Sequence, residues 1–222
     1  MDGLLKKYKT KCIITAIDIE FLALIKQFNI KNEHIYKVNN AFSVAECIDR
    51  RLIIAQAGIG KTKAKDCAEV LCNYYPDIYG FLSTGLAGAL SDQLKIGDIV
   101  IGDSVIDKIQ EKYDTIKFLD IPMLTIKEKF HVQYGPVLCS DEFIKETETK
   151  QSLFNKYGTL CVDMESSGVV NFARKRGSPF LIIKAISDYA NEKATTSFFR
   201  SYKMACNLLA QFIDTIINHI FF

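Results

Sequence analysis

Hydrophobic and polar positions follow two periods along the chain. Short apolar runs typical of buried strands alternate with segments of helical spacing, beginning with a run at 12–17 and a helical segment at 20–28. The predicted strands cover 12–17, 51–58, 78–85, 96–106, 134–140, 160–164 and 179–187, and the predicted helices cover 20–28, 61–75, 141–154, 165–177 and 197–220. This alternation predicts an α/β fold of three layers, α/β/α, with a central mixed, mostly parallel sheet.

The chain has no Pro/Gly/Ser-rich linker, internal repeat or low-complexity stretch. We therefore expect a single domain over residues 1–222. The least regular region, 107–131, fits either a long loop or an excursion near a site. Gly177 stands where a glycine commonly ends a helix, after the helical pattern at 165–177.

The amino-acid composition limits the kinds of binding partner that are expected. The 28 Lys and Arg residues nearly balance the 26 Asp and Glu residues, so neither nucleic acid nor an anionic membrane is expected as a partner. No apolar stretch reaches 18 residues and the N-terminus is polar, so we expect no membrane span and no signal peptide.

Seven cysteines, an odd number without a C-x-x-C pair, predict buried free thiols in a reducing cytoplasm. The three histidines are isolated, which disfavours a metal site or a Ser-His-Asp triad.

Carboxylates follow three of the predicted strands. In an α/β sheet, ligands bind outside the carboxyl ends of the strands, and Glu20, Glu165 and Asp188 stand at three such ends. Each alone could be a helix or turn cap. Together they favour acid–base chemistry on a neutral or cationic organic substrate over nucleophilic acyl transfer.

The stretch "AQAGIGKT" at 55–62 matches a phosphate-binding P-loop at all positions but the first glycine, which is Ala55. It follows the second predicted strand rather than the first, and no apolar strand ending in a magnesium-binding Asp accompanies it. We therefore interpret it as a glycine turn that serves another chemistry.

Seven short motifs follow one another along the chain. In order, they are "AIDIE" (16–20), "GIGK" (58–61), "STGLAGAL" (83–90), "LKIGDIV" (94–100), "SDEFI" (140–144), "VDMES" (162–166) and "KAISDYA" (184–190). Together they resemble the 5'-methylthioadenosine/S-adenosylhomocysteine nucleosidases of the nucleoside phosphorylase superfamily. The similarity runs from about 12 to 213, and "VDMES" followed by "AISD" is its most specific part.

The resemblance implies hydrolysis of the adenine N-glycosidic bond of 5'-methylthioadenosine or S-adenosylhomocysteine, without a cofactor. Asp188 matches the general acid that protonates adenine, and Ser187 would position it. Glu20 matches the residue that activates the attacking water. Glu165 matches the carboxylate that binds the ribose hydroxyls, and Met164 would lie along the sugar.

The resemblance also implies the walls of a binding pocket. Phe143 corresponds to the aromatic residue that stacks on adenine, and Ile144 would present its backbone to the purine edge. Ile59 and Phe198 match apolar positions around the 5' group, although simple core packing also explains them. Related enzymes are commonly homodimers, so a homodimer is expected.

Three departures from the family leave the preferred 5' substituent open. Leu86 stands where the nucleosidases usually have a small serine, Ala89 replaces a common glycine, and Lys184 a common arginine. Two other functions remain as alternatives. One is a purine nucleoside phosphorylase or another nucleosidase of the superfamily, although a phosphorylase usually needs arginine where this chain has acids. The other is a nucleoside-binding protein without turnover.

Overall fold

The computed structural model describes residues 9–107, 113–115 and 129–220. The strands are β1 (Thr10–Thr15), β2 (Ile35–Val38), β3 (Phe42–Cys47), β4 (Leu52–Gln56), β5 (Ile78–Ala89), β6 (Ile99–Asp107), β7 (Tyr113–Thr115), β8 (Val132–Cys139), β9 (Cys161–Asp163) and β10 (Phe180–Asp188). The helices are α1 (Asp18–Gln27), α2 (Lys61–Tyr74), α3 (Thr147–Tyr157), α4 (Ser166–Arg176) and α5 (Ala194–Ile216).

Helices cover both faces of the sheet, which confirms the predicted α/β class. Side chains of β1 alternate between two cores. Ile13 packs into a core shared with α1 and α5, whereas Cys12 and Ile14 pack into a core shared with α2 and α4. All six positions of β1 are buried, so this strand buries both of its faces.

The predicted mixed, mostly parallel sheet is confirmed only in part, because the observed sheet also closes on itself. The strand order is β10-β6-β8-β9-β5-β1-β4-β3-β2, and β10 also pairs with β5, so five of the strands close into a barrel. Closure depends on the twelve-residue length of β5. Its residues Phe81–Gly88 pair with β10 in parallel, while Gly88 and Ala89 pair with β9 in the antiparallel sense. One side of β5 thus pairs with β10, while the other side pairs first with β1 and then with β9, and the closed end leaves no edge there.

The antiparallel hairpin of β2 and β3 is absent from the sequence prediction. Its turn has Asn39 and Asn40 at φ of 51° and 55°, the left-handed conformation that a tight hairpin turn requires. The signal was the Asn-Asn pair. The flanking strands are partly exposed and only weakly apolar, which hid their alternation.

Most other predicted elements lie within a few residues of their observed bounds. Gly177 has φ 70° and ends α4, as predicted. The helix predicted at 141–154 was wrong at its start, because α3 begins only at Thr147 and the preceding residues form a loop. The region 107–131 lies largely outside the described residues.

All seven cysteines are free thiols, and five of them are buried, as the sequence predicted. Within the described part of the chain, no helix has the length and apolar character needed to cross a membrane. A cytoplasmic location and a single domain stay predictions.

Candidate active site

A cavity of about 480 Å³ opens at the carboxyl ends of β1, β5, β9 and β10. All ten residues singled out from the sequence line it. They are Glu20, Ile59, Leu86, Phe143, Ile144, Met164, Glu165, Ser187, Asp188 and Phe198. Residues almost 180 positions apart in sequence meet here. The parallel strands β1, β5 and β10 end at the same edge of the sheet, and β9, which is antiparallel to β5, pairs with the last two residues of β5.

Glu20 is the third residue of α1 and is buried. Its Oε2 accepts hydrogen bonds from the backbone N–H groups of Ala16 at 2.8 Å and Ile17 at 3.1 Å, which lie just ahead of the helix. Its Oε1 accepts another from the N–H of Leu86 at 2.8 Å. Burial raises the pKa of Glu20, and these three donors oppose that shift. The carboxylate is thus held by backbone on two elements.

Asp188 ends β10 and is also buried. Its Oδ1 accepts the N–H of Ala190 and its Oδ2 accepts the Ser187 hydroxyl, both at 2.9 Å. Burial raises the pKa of Asp188, and the two hydrogen bonds oppose the shift. A carboxyl group with a raised pKa retains its proton to higher pH, as a general acid requires.

Glu165 connects α4 to the glycine turn of the "AGIGK" motif. Its Oε1 accepts the backbone N–H of Gly60 at 2.9 Å. Gly60 has φ 106°, a conformation that favours glycine, and it precedes the first residue of α2. Burial, followed by the negative charge of Asp163, raises the pKa of Glu165 to about 7. An N–H donor that a P-loop would offer to phosphate is therefore used by a carboxylate of the protein.

A buried ion pair lies behind the cavity. The Nζ of Lys184 is 2.6 Å from Oδ2 of Asp163, and neither side chain is exposed. Burial alone would lower the pKa of Lys184, but the carboxylates of Asp163, Glu165 and Glu20 outweigh it and raise that pKa. Lys184 therefore supplies positive charge beside three of the carboxylates that line the cavity.

Two glycines of β5 make room for the carboxylates of Glu20 and Asp188. A Cβ placed on Gly85 would lie 2.7 Å from Glu20 Oε1, and one on Gly88 would lie 2.8 Å from Asp188 Oδ1. Real Cβ atoms do not approach other atoms so closely. Gly85 also has φ +146°, which strains other residues. The two glycines of "STGLAGA" thus leave the space that these carboxylates occupy.

The rest of the cavity wall is mainly apolar. Ile144 is buried, whereas Phe143 and Ile59 are 46% and 54% exposed at its mouth. Phe198 stacks on Tyr202 with 5.6 Å between ring centroids. Leu86 reaches the site through both its backbone, which binds Glu20, and its side chain, which packs on the main core.

Sequence reasoning missed several lining residues, namely Ala16, Ile17, Ala87, Gly88, Glu142, Val162, Asp163, Thr195 and Phe199. The spacing of Thr195, Phe198 and Phe199 on the first turns of α5 was the available signal, since residues three and four apart share a helix face. Across the described part of the chain, the cavity lining includes five acidic residues and neither Lys, Arg nor His.

The phosphorylase superfamily model matches residues 10–218. The 5'-methylthioadenosine/S-adenosylhomocysteine nucleosidase of Staphylococcus aureus (strain bovine RF122 / ET3-1) is 26% identical over 192 residues, which are 78% of this chain and 83% of the relative. The fold is similar to that of Helicobacter pylori 5'-methylthioadenosine/S-adenosyl homocysteine nucleosidase, with a TM-score of 0.84, 20% identity, and coverage of 96% of this chain and 99% of that one.

A futalosine hydrolase mutant of Helicobacter pylori strain 26695 is equally similar in fold. Its TM-score is also 0.84, at 18% identity, with coverage of 96% of this chain and 100% of that one. Two proteins named for different substrates thus share this architecture to the same degree. The match over nearly the whole chain confirms the recognition made from the motifs: the chain belongs to the phosphorylase superfamily, where it falls among the nucleosidases.

Proposed function

We propose that this nucleosidase hydrolyses the adenine N-glycosidic bond of 5'-methylthioadenosine or S-adenosylhomocysteine, with Asp188 as general acid and Glu20 as the base that activates water. The products are adenine and the 5-thio-substituted ribose. One observation carries the proposal: two buried carboxylates line the same cavity and are held by different sets of donors. Such a difference separates the roles of acid and base.

The departing adenine needs a proton, because the purine anion is a poor leaving group. Asp188 supplies it to N7, and its raised pKa supports a protonated resting form. Ser187 fixes the orientation of the carboxyl group through its hydroxyl at 2.9 Å.

Positive charge then develops on the ribose, and water attacks C1'. A carboxylate has about four acceptor positions, and backbone N–H groups take three of those on Glu20. The remaining position orients the water and accepts its proton. Glu165 holds the ribose hydroxyls, with Met164 against the sugar. Phe143 and Ile144 form the purine wall, and Ile59, Phe198 and Leu86 surround the 5' group.

Acidic lining favours water over phosphate as the nucleophile. Phosphorylases bind phosphate through fixed cations, commonly arginine. At this cavity the only cation described beside the carboxylates is Lys184, which is buried against Asp163. Phosphate would meet Glu20 and Glu165 at close range, and like charges repel strongly in a site of low dielectric.

A second copy of the chain would cover the cavity mouth in the proposed homodimer. Ile59, Phe143 and Phe199, exposed at the mouth by 54%, 46% and 67%, support this. Light scattering on the purified protein tests it, and a monomer at all concentrations would contradict it.

The function is tested by incubating the protein with 5'-methylthioadenosine, with and without phosphate, and separating the products by chromatography. We expect adenine and methylthioribose in both reactions and none with Asp188→Asn. A sugar 1-phosphate formed only with phosphate would mean phosphorolysis instead. S-adenosylhomocysteine and futalosine run in parallel assign the substrate preference. Tight binding of these compounds without any product would mean a nucleoside-binding protein.

A further inference from the structure

Lys61, the lysine of the P-loop-like motif, has no role in the mechanism above. It is the first residue of α2, and its Nζ lies 2.9 Å and 3.2 Å from the two carboxylate oxygens of Asp107, at the end of β6. The same Nζ lies 3.2 Å from Oδ2 of Asp141. The Ser167 hydroxyl of α4 also donates to Asp107, at 3.0 Å. One ammonium group therefore joins two segments to the start of α2.

Asp141 begins the loop at 141–146 that precedes α3. Phe143 and Ile144, the purine wall of the cavity, belong to this loop. Just before it, the N–H of Ser140 donates to the backbone oxygen of Asp163 at 2.8 Å. The loop is thus attached to β9 at Ser140 and to α2 through Lys61.

The other end of this connection is the sugar wall. Gly60, directly before Lys61, donates its backbone N–H to Glu165. These two adjacent residues therefore contact Glu165 on one side, through the backbone of Gly60, and the loop at 141–146 on the other, through the side chain of Lys61. A shift of Lys61 would change the distance between the two walls.

The two ion pairs of Lys61 differ in burial. The Asp107 side chain is 3% exposed and that of Lys61 is 18%, whereas Asp141 is 41% exposed. A buried carboxylate requires its partner, so the pair with Asp107 fixes the position of the ammonium group. The pair with Asp141 is weaker because water competes for it, and it restrains the loop without locking it.

We infer that Lys61 is a positioning residue. It holds the loop at 141–146, here called the purine loop, against the glycine turn and thereby sets the width of the part of the cavity that receives the purine. Its consequence for turnover rests on the proposed function. The consequence for the loop itself does not.

Steady-state kinetics with 5'-methylthioadenosine give the first test. Asp141→Asn removes only the loop contact and keeps the buried pair. We expect KM to rise about 2–5-fold while kcat stays within about twofold, because an exposed pair contributes little to the transition state itself. Lys61→Met should raise KM about tenfold or more, and Lys61→Arg should restore most of the loss.

Lys65→Met is the matched control, since Lys65 is an exposed lysine of the same helix. It should leave both constants unchanged. The double variant with Lys61→Met and Asp141→Asn should raise KM no further than Lys61→Met alone, since both changes break the same contact. Additive effects would overturn the inference.

Hydrogen–deuterium exchange on the unliganded full chain gives the second test, and it needs no substrate. Peptides covering 140–146 should exchange faster in Asp141→Asn and Lys61→Met than in Lys65→Met. Unchanged exchange there in Asp141→Asn would overturn the inference even if Lys61→Met failed to fold. A wild-type protein without nucleosidase activity would overturn the proposed function, while the exchange result would still decide the role of Lys61.

Discussion

Glu20 and Asp188 line one cavity, and the groups that donate hydrogen bonds to their two carboxyl groups differ in a way that matters for chemistry. Three backbone N–H groups donate to Glu20, whereas Asp188 receives one N–H and one hydroxyl. Burial raises the pKa of both. Donors stabilise the charged form, so the additional N–H and the charge of Lys184 favour an ionised Glu20 relative to Asp188. Different sets of hydrogen-bond donors can therefore give two similar carboxyl groups different affinities for a proton.

The largest effect is expected at the acid. Asp188→Asn keeps the shape of the side chain but cannot supply the proton, so kcat should fall about 10²–10⁴-fold. Substrate affinity, measured by calorimetry, should change much less. Retention of kcat within about threefold would remove Asp188 from the role of acid.

Glu20→Gln should lower kcat about 10²-fold or more through loss of the base. It should also lower the free energy of unfolding by about 1–3 kcal/mol, because an amide has one oxygen and leaves a backbone N–H facing an NH₂ group. Urea unfolding of both variants sharpens the comparison. Asp188→Asn, whose amide oxygen can still accept the N–H of Ala190, should be the more stable variant.

The glycines beside the two carboxylates extend the comparison to β5. Gly85→Ala places a Cβ against Glu20, and Gly88→Ala places one against Asp188. Both should lower activity. Gly85→Ala should lower the free energy of unfolding by about 1–3 kcal/mol more than Gly88→Ala, since its φ of +146° adds backbone strain. Equal unfolding midpoints for the two variants would argue against that strain.

The smallest effect concerns Glu165 and the pH dependence of stability. Its folded pKa of about 7 lies above the ordinary 4.5, so the folded protein holds this proton more tightly than the unfolded chain does. The stability it contributes is complete below pH 4.5 and is lost as pH rises through about 7. Relative to Glu165→Gln, the wild type should lose on the order of 1 kcal/mol over that interval. A pH-independent difference between their urea unfolding curves would contradict the shift.

The site was predictable to a large extent because its residues lie in short motifs at strand ends. Glu20 follows β1 and Asp188 ends β10, and these parallel strands bring such positions to one edge. Glu165 follows β9, which is antiparallel to them and joins the site by pairing with the end of β5. Their individual catalytic roles stay proposals. The loop conformation of 141–146 was not predicted, because its polar residues are compatible with a helix. In the observed fold this segment is a loop, and Phe143 and Ile144 line the cavity.

The sequence was sufficient to predict the alternation of strands and helices, the burial of β1 and β10, the end of α4 at Gly177 and ten of the residues that line the cavity. These depend on local periodicity and on motifs of a few residues. Only the tertiary structure decided the barrel closure through β5, the ion pairs of Lys61 and Lys184, and the number of donors on each carboxylate. Such features join residues far apart in sequence. Local periodicity predicts neither which strand or side chain a residue pairs with nor whether a charged group loses its water on folding.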